Sequence, residues 1–191
     1  MSKKIQYNSP VILTFAIVSF GALLLNMITN GWSNRLLFSV YRSSFGNPFT
    51  YIRLFGHVLG HANLQHYTGN MMMILLLGPM IEERYGSSTL LKMMGITAFV
   101  TGIINSLLFP RVALCGASGI VFLLIVLSSM VNFKEGEIPL TLILVLVVYL
   151  GEEIVNGLFS KDNISQLAHI IGGLCGCGFG FMIGAKRKNH V

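Results

Sequence analysis

The chain has 191 residues, of which 53% are hydrophobic and 10% charged, and its mean hydropathy is +0.72. Soluble domains carry about 25% charged residues, so an ordinary soluble fold is excluded, and six bilayer spans of about 20 residues each would leave no room for a separate soluble domain. The net charge of +6 would suggest nucleic-acid binding in a soluble protein, but in a membrane protein it reads as cytoplasmic loop charge, and no nucleic-acid partner is expected.

After the basic start Lys3-Lys4, a first apolar segment covers 10–29. It exceeds a signal-peptide core and no small-residue cleavage site follows, so it reads as an anchoring helix. Residues 30–62 hold Trp32, Arg35, Tyr41, Arg42, Pro48, Tyr51 and Arg53 among scattered apolar groups. Aromatic and Arg anchors of this kind mark a partly structured loop in the membrane interface.

Further apolar segments cover 64–84, 89–109, 117–133, 138–158 and 166–185, separated by Gly86-Ser87-Ser88, Pro110-Arg111, residues 134–137 and residues 160–163. With the first they predict an all-α, polytopic membrane protein, a single six-helix domain over 1–191. No repeat of 20 to 50 residues is visible, and Met71-Met72-Met73 reads as core filler. Cys115, Cys175 and Cys177 lie in apolar stretches without metal or redox spacing, which predicts buried thiols and no disulfide framework.

An N-terminus inside the cell places Lys3, Lys4, Arg84, Lys92, Lys134 and Lys186-Arg187-Lys188 in the cytoplasm, against Arg35, Arg42, Arg53, Arg111 and Lys161 outside. The bias favours cytoplasmic termini, and the terminal basic cluster would meet anionic membrane lipids without specificity. The second, fourth and sixth segments then start on the outer side and run inward. Their first turns share one depth and hold the polar residues His66, Asn70, Ser118 and His169, which predicts a converging site below the outer surface.

Ser118 lies in Gly116-Ala117-Ser118-Gly119, ahead of a run too short to span comfortably, so its helix is expected to begin below the surface at the end of a descending loop. Its first amides would be unpaired donors suited to an oxyanion. Equally, the serine could only cap its own helix while the glycines permit close packing, and GxSG lacks the leading glycine of a nucleophile elbow. His169 opens a helix with Gly172, Gly176, Gly180 and Gly184 at four-residue intervals, a groove along which a neighbour can approach backbone to backbone.

If that neighbour is the fourth segment, His169 reaches Ser118 as a general base. Asp162 lies in the preceding loop and Glu152-Glu153 near the end of the fifth segment, so a Ser/His dyad is read in place of a triad. Phe122, one turn after Ser118, would stack on the imidazole in place of an orienting carboxylate.

His66 and Asn70 share one helix face and could donate to a developing oxyanion, or simply tie neighbouring helices together. His57 and His61 are spaced like two metal ligands without the Glu of HExxH. A zinc site with His66 is one option; bonding to loop backbone, or lining a path for water, is the reading taken, with no metal and no cofactor. Glu82-Glu83-Arg84 is read as a structural network of Glu82 with Arg84 or backbone.

The fragments His61-Ala62-Asn63-Leu64-Gln65-His66 with Asn70, Glu82-Glu83-Arg84, Gly116-Ala117-Ser118-Gly119 and Ala168-His169 with Gly172 and Gly176 occur in this order across the last five segments. On them, the sequence resembles the rhomboid intramembrane serine proteases, of the bacterial GlpG type. The resemblance implies a six-helix bundle that cleaves membrane-anchored substrates. It implies Ser118 as nucleophile, His169 as base and acid, and His66, Asn70 and the Ser118 amide as oxyanion hole.

The resemblance further implies a membrane-embedded first loop with Arg53 in a Trp-Arg element, where Ile52 replaces the Trp and weaker anchoring is expected. Phe122 stands where a Tyr is common, and the chain is expected to be the minimal core. Transmembrane protein substrates and lipids are the implied partners, and a bacterial inner membrane the implied location. A catalytically inactive rhomboid-like binding module, or a small transporter, is the alternative.

Overall fold

The computed structural model describes residues 5–131, 137–151 and 164–186. Its helices are α1 (Pro10–Ile28), α2 (Pro48–Gly56), α3 (Leu64–Tyr85), α4 (Ser87–Leu108), α5 (Ser118–Ser129), α6 (Leu140–Val145) and α7 (Ile164–Lys186), with π-helical turns at Asn34–Phe38 and, continuing α6, at Leu146–Leu150. The fold is all-α among the described residues. Residues 152–158 of the fifth segment, Glu152-Glu153, Asp162, Lys3-Lys4, Lys134 and Arg187-Lys188 lie outside them.

Pro10 occupies the first turn of α1, where its missing N–H costs nothing. The next amides, of Val11 and Ile12, donate to the two carboxylate oxygens of Glu82 at 3.0 and 3.1 Å. Ser87 adds a hydroxyl donor at 2.7 Å. Glu82 therefore bonds backbone rather than Arg84, and its charge meets the positive end of the α1 dipole. Tyr67 donates to the Ala16 carbonyl at 3.1 Å, and Gly78 lies so close to Ile12 that a Cβ there would overlap it, so α1 and α3 pack tightly along their length.

The connection expected over 30–62 contains α2 and the first π-helical turn. Asn47 caps α2 by accepting from Phe49 N at 3.0 Å, and Asn63 caps α3 by accepting from His66 N at 2.8 Å.

Two boundaries fall short of the sequence reading. The fourth segment ends as α5 at Ser129 rather than 133, because the Ser128 and Ser129 hydroxyls donate to the Ile125 and Val126 carbonyls at 2.7 Å and compete with the helical ladder. The fifth begins at Leu140 rather than 138, because Pro139 is extended as its cap.

At the centre stands α5, buried without interruption from Gly119 to Leu127. A helix apolar on every side belongs inside a protein, and α3, α4, α6 and α7 all pack on it. Among the described residues three helices, Pro10–Ile28, Ser87–Leu108 and the Gln166–Ile183 part of α7, are long and apolar enough alone to cross a membrane. At 1.5 Å per residue the 12-residue α5 spans about 18 Å, well under the roughly 30 Å of a bilayer core. The chain between α4 and α5, residues 109–117, leads directly into the first turn of α5.

Candidate active site

That connecting chain is pinned in three places. Val40 and Leu114 exchange backbone bonds at 2.8 and 2.9 Å as an antiparallel bridge, and Gly116 N donates to the His57 carbonyl at 2.9 Å. Asn105, buried on α4, donates from Nδ2 to the carbonyls of Val40 and Val112 at 3.2 and 3.3 Å, which locks both sides of the bridge. Gly116 then takes φ +135°, a conformation that L side chains rarely adopt. A Cβ there would stand 2.7 Å from His66 Cε1 and 2.8 Å from Nε2. The His66 ring thus lies directly against the backbone two residues before Ser118.

Asn70, four residues further along α3, brings Nδ2 to 3.9 Å from the same point. That nitrogen is buried and has no hydrogen-bond partner. Buried donors are seldom left unpaired, because each costs about 1–3 kcal/mol. One that faces the start of a helix is a donor waiting for an acceptor.

On the other side of Ser118 the glycines of α7 do what their spacing predicts. A Cβ on Gly172 would overlap the Gly119 carbonyl, one on Gly176 would stand 2.9 Å from Val126 Cβ and 3.0 Å from the Leu123 carbonyl, and one on Gly180 would overlap the Met130 sulfur. Backbone meets backbone at Gly119 and Leu123, and Gly180 receives the Met130 side chain just past the end of α5. A Cβ on Gly119 would lie 3.4 Å from the Ala168 carbonyl, so the immediate chain neighbours of Ser118 and His169 touch. Ser118 is the first residue of α5 and half-buried, as is His169.

The Phe122 ring lies flat on the His169 imidazole, with centroids 4.4 Å apart and planes 6° from parallel. Ser118 and Phe122 are one turn apart on one face of α5, so the stack holds the imidazole on the face that carries Ser118.

The remaining sequence candidates surround this group. His61 meets His66 edge to face at 5.1 Å. Its Nδ1 is 3.1 Å from the Leu59 carbonyl, and its own carbonyl accepts from Asn26 and Asn34 at 3.4 and 3.0 Å. His57 turns Nδ1 to the Arg53 carbonyl at 3.2 Å. His61 thus bonds loop backbone and His57 the last turn of α2, and no group of three His, Cys, Asp or Glu side chains suited to a metal occurs among the described residues. Burial is the main force that lowers each pKa to about 4; the nearby His66 adds to the effect on His61.

Arg53 is 2% exposed. It donates to the Leu36 carbonyl at 3.4 Å, the Ser43 hydroxyl at 2.8 Å and the Thr50 hydroxyl at 3.3 Å, and its guanidinium lies 4.4 Å over the Tyr41 ring. Ile52 is exposed and takes no part in that anchor. The three cysteines are free thiols, each partly exposed rather than fully buried.

Sequence reasoning missed the clamp by Asn105, the two carboxamides on the His61 carbonyl and the seat of Glu82 on α1. A polar residue in an otherwise apolar segment was the available signal for Asn26 and Asn105.

A polytopic helical membrane fold that sets a serine, two histidines and an unpaired carboxamide around one helix start defines the class of protein. The Rhomboid domain matches residues 48–186, and the chain belongs to the rhomboid family. It is similar to Rhomboid-related protein 2 of Mus musculus, 30% identical over 145 residues that cover 69% of this chain and 47% of that protein. It is likewise similar to Rhomboid protease GlpG of Haemophilus influenzae, at 26% over 142 residues covering 73% of each.

Rhomboid-like protein 11, chloroplastic, of Arabidopsis thaliana is 26% identical over 130 residues, covering 61% of this chain and 46% of that protein. The chain thus spans about half the length of the mouse and plant relatives it matches. Since animal and plant relatives match about as well as the Haemophilus protein, the similarity supports the family and not its bacterial GlpG branch in particular.

Proposed function

We propose that the chain is an intramembrane serine endopeptidase that hydrolyses peptide bonds in or near the transmembrane segments of membrane-anchored proteins. Ser118 is the nucleophile, His169 the base that takes its proton and later gives it to the leaving amine, and His66, Asn70 and the Ser118 amide form the oxyanion hole. The observation that carries this reading is the buried, unpaired Asn70 Nδ2 facing the start of α5, opposite an imidazole stacked on Phe122.

In this reading the domain is a six-helix bundle with cytoplasmic termini, in the inner membrane of a bacterium, and the site opens outward. A substrate helix that unwinds easily enters between α3 and α6. Ser118 attacks the scissile carbonyl, and the oxygen that gains charge falls among donors already desolvated, which need no reorganisation. His169 protonates the departing nitrogen, then activates a water that arrives past His61 and releases the acyl group. The exposed peptide backbone is tolerated at this depth only because protein and water, rather than lipid, surround it.

The test uses purified protein in detergent micelles, a fluorophosphonate probe and a reporter transmembrane substrate. Labelling and cleavage are expected for the native chain, both lost in Ser118→Ala and strongly reduced in His169→Ala. Substrate capture without cleavage or labelling would favour a non-catalytic binding protein, and unchanged cleavage by Ser118→Ala would remove the assignment.

A further inference from the structure

The stack on His169 has a second neighbour. Tyr149, in the π-helical turn that continues α6, meets the Phe122 ring edge to face, with centroids 6.3 Å apart and planes at 86°. The positive edge of one ring then points at the negative face of the other, the favoured arrangement for an aromatic pair. Tyr149, Phe122 and His169 thus form one file of rings across three helices, and only the last carries chemistry.

The helix at the outer end of that file is partly exposed. At its start α6 is held by Leu142, buried with Val126 and Met130. Further along, Leu144, Val147 and Val148 are exposed, and Tyr149 itself is 41% exposed. A π-helical turn at Leu146–Leu150 widens the backbone spiral where Tyr149 sits, a form frequent at functional sites. The π-helical turn that continues α6 therefore meets the candidate site through a contact of rings, whereas α5 and α7 meet through backbone.

We propose that Tyr149 is a positioning residue: its ring holds Phe122 flat on the His169 imidazole, so that turnover, but not substrate binding, depends on an aromatic side chain at position 149. The inference rests on the proposed protease reading. It makes the position of α6 a condition for a correctly held base. The contact is one of ring with ring, and Tyr149→Phe separates the ring from its hydroxyl.

Loss of one aromatic pair corresponds to a fall of about twofold to tenfold in rate. Tyr149→Leu, which keeps apolar bulk, and Tyr149→Ala are expected to lower kcat and the rate of fluorophosphonate labelling at Ser118 by that factor with KM unchanged, while Tyr149→Phe retains both rates. The thermal unfolding midpoint of Tyr149→Leu in the same micelles is expected to fall only slightly, by the loss of one aromatic pair, with the variant fully folded at the assay temperature. A native chain that is not labelled would overturn the protease reading and this inference with it. A labelled native chain whose rate Tyr149→Leu equals, or a Tyr149→Phe variant as slow as Tyr149→Leu, would overturn the inference alone.

Discussion

Along α5 and α7 the chain brings two helices together by leaving side chains out, whereas between α1 and α3 it fixes an irregular connection by burying polar ones. Gly119 and Gly172 let backbone meet backbone beside Ser118 and His169, and nothing but shape is involved. Arg53, His57 and His61 instead satisfy the carbonyls and hydroxyls of a connection whose own backbone ladder is broken. The seam should fail abruptly when volume is added. The connection should fail in steps, one hydrogen bond at a time, and should respond to pH.

The sharpest break is Gly172→Ala. The added methyl overlaps the Gly119 carbonyl, which is backbone and cannot turn away, so the helices must separate. Overpacking of this sort costs about 1–3 kcal/mol or more, and the separation should abolish fluorophosphonate labelling of Ser118 even where circular dichroism still reports helix. A labelled Gly172→Ala variant would mean that the seam is not what aligns the site.

Arg53→Met keeps much of the buried length but removes the donors to Leu36, Ser43 and Thr50 and the contact with Tyr41. Hydrogen bonds from a charged group contribute about 1.5–3 kcal/mol, so a loss of that size is expected in thermal unfolding, with protease sensitivity rising in residues 30–62 rather than in α5.

The pH response follows from His57. Its folded pKa of about 4 lies below the ordinary 6.5 because burial disfavours the charged ring. Between those values the unfolded chain binds the proton and the folded chain does not, so stability is complete above about pH 6.5 and is lost as pH falls toward 4. The slope is about 1.4 kcal/mol per pH unit for a single imidazole. His57→Gln should reduce the slope of the unfolding midpoint across that window without removing it, because His61, also lowered to about 4 by burial, still titrates there.

The smallest effect is expected for Glu82→Gln. It retains one acceptor for the α1 amides and loses the charge that favours a helix start, at a cost of about 1 kcal/mol. Heat denaturation followed by tryptophan fluorescence of Trp32 would register it.

The apolar segments were legible because hydropathy and length are local properties, and the seam because glycines recurring every four residues have few other uses. Phe122 on His169 was legible from a one-turn spacing. The ends of α5 and α6 were not, since they depend on where Ser128, Ser129 and Pro139 direct backbone bonds. Nor were the partners of Glu82, because Val11 and Ile12 are distant in sequence and amides leave no mark in it. The edge of Tyr149 on Phe122 joins segments whose relative rotation no periodicity encodes.

The seat of Glu82 bears on the order in which the chain is made. The amides of Val11 and Ile12 leave the ribosome about seventy residues before the carboxylate that receives them. Until α3 has been inserted, the start of α1 must keep those donors in water or among lipid headgroups. The first helix is thus threaded early and seated late, and its final depth in the bilayer is fixed only when the far end of the third arrives.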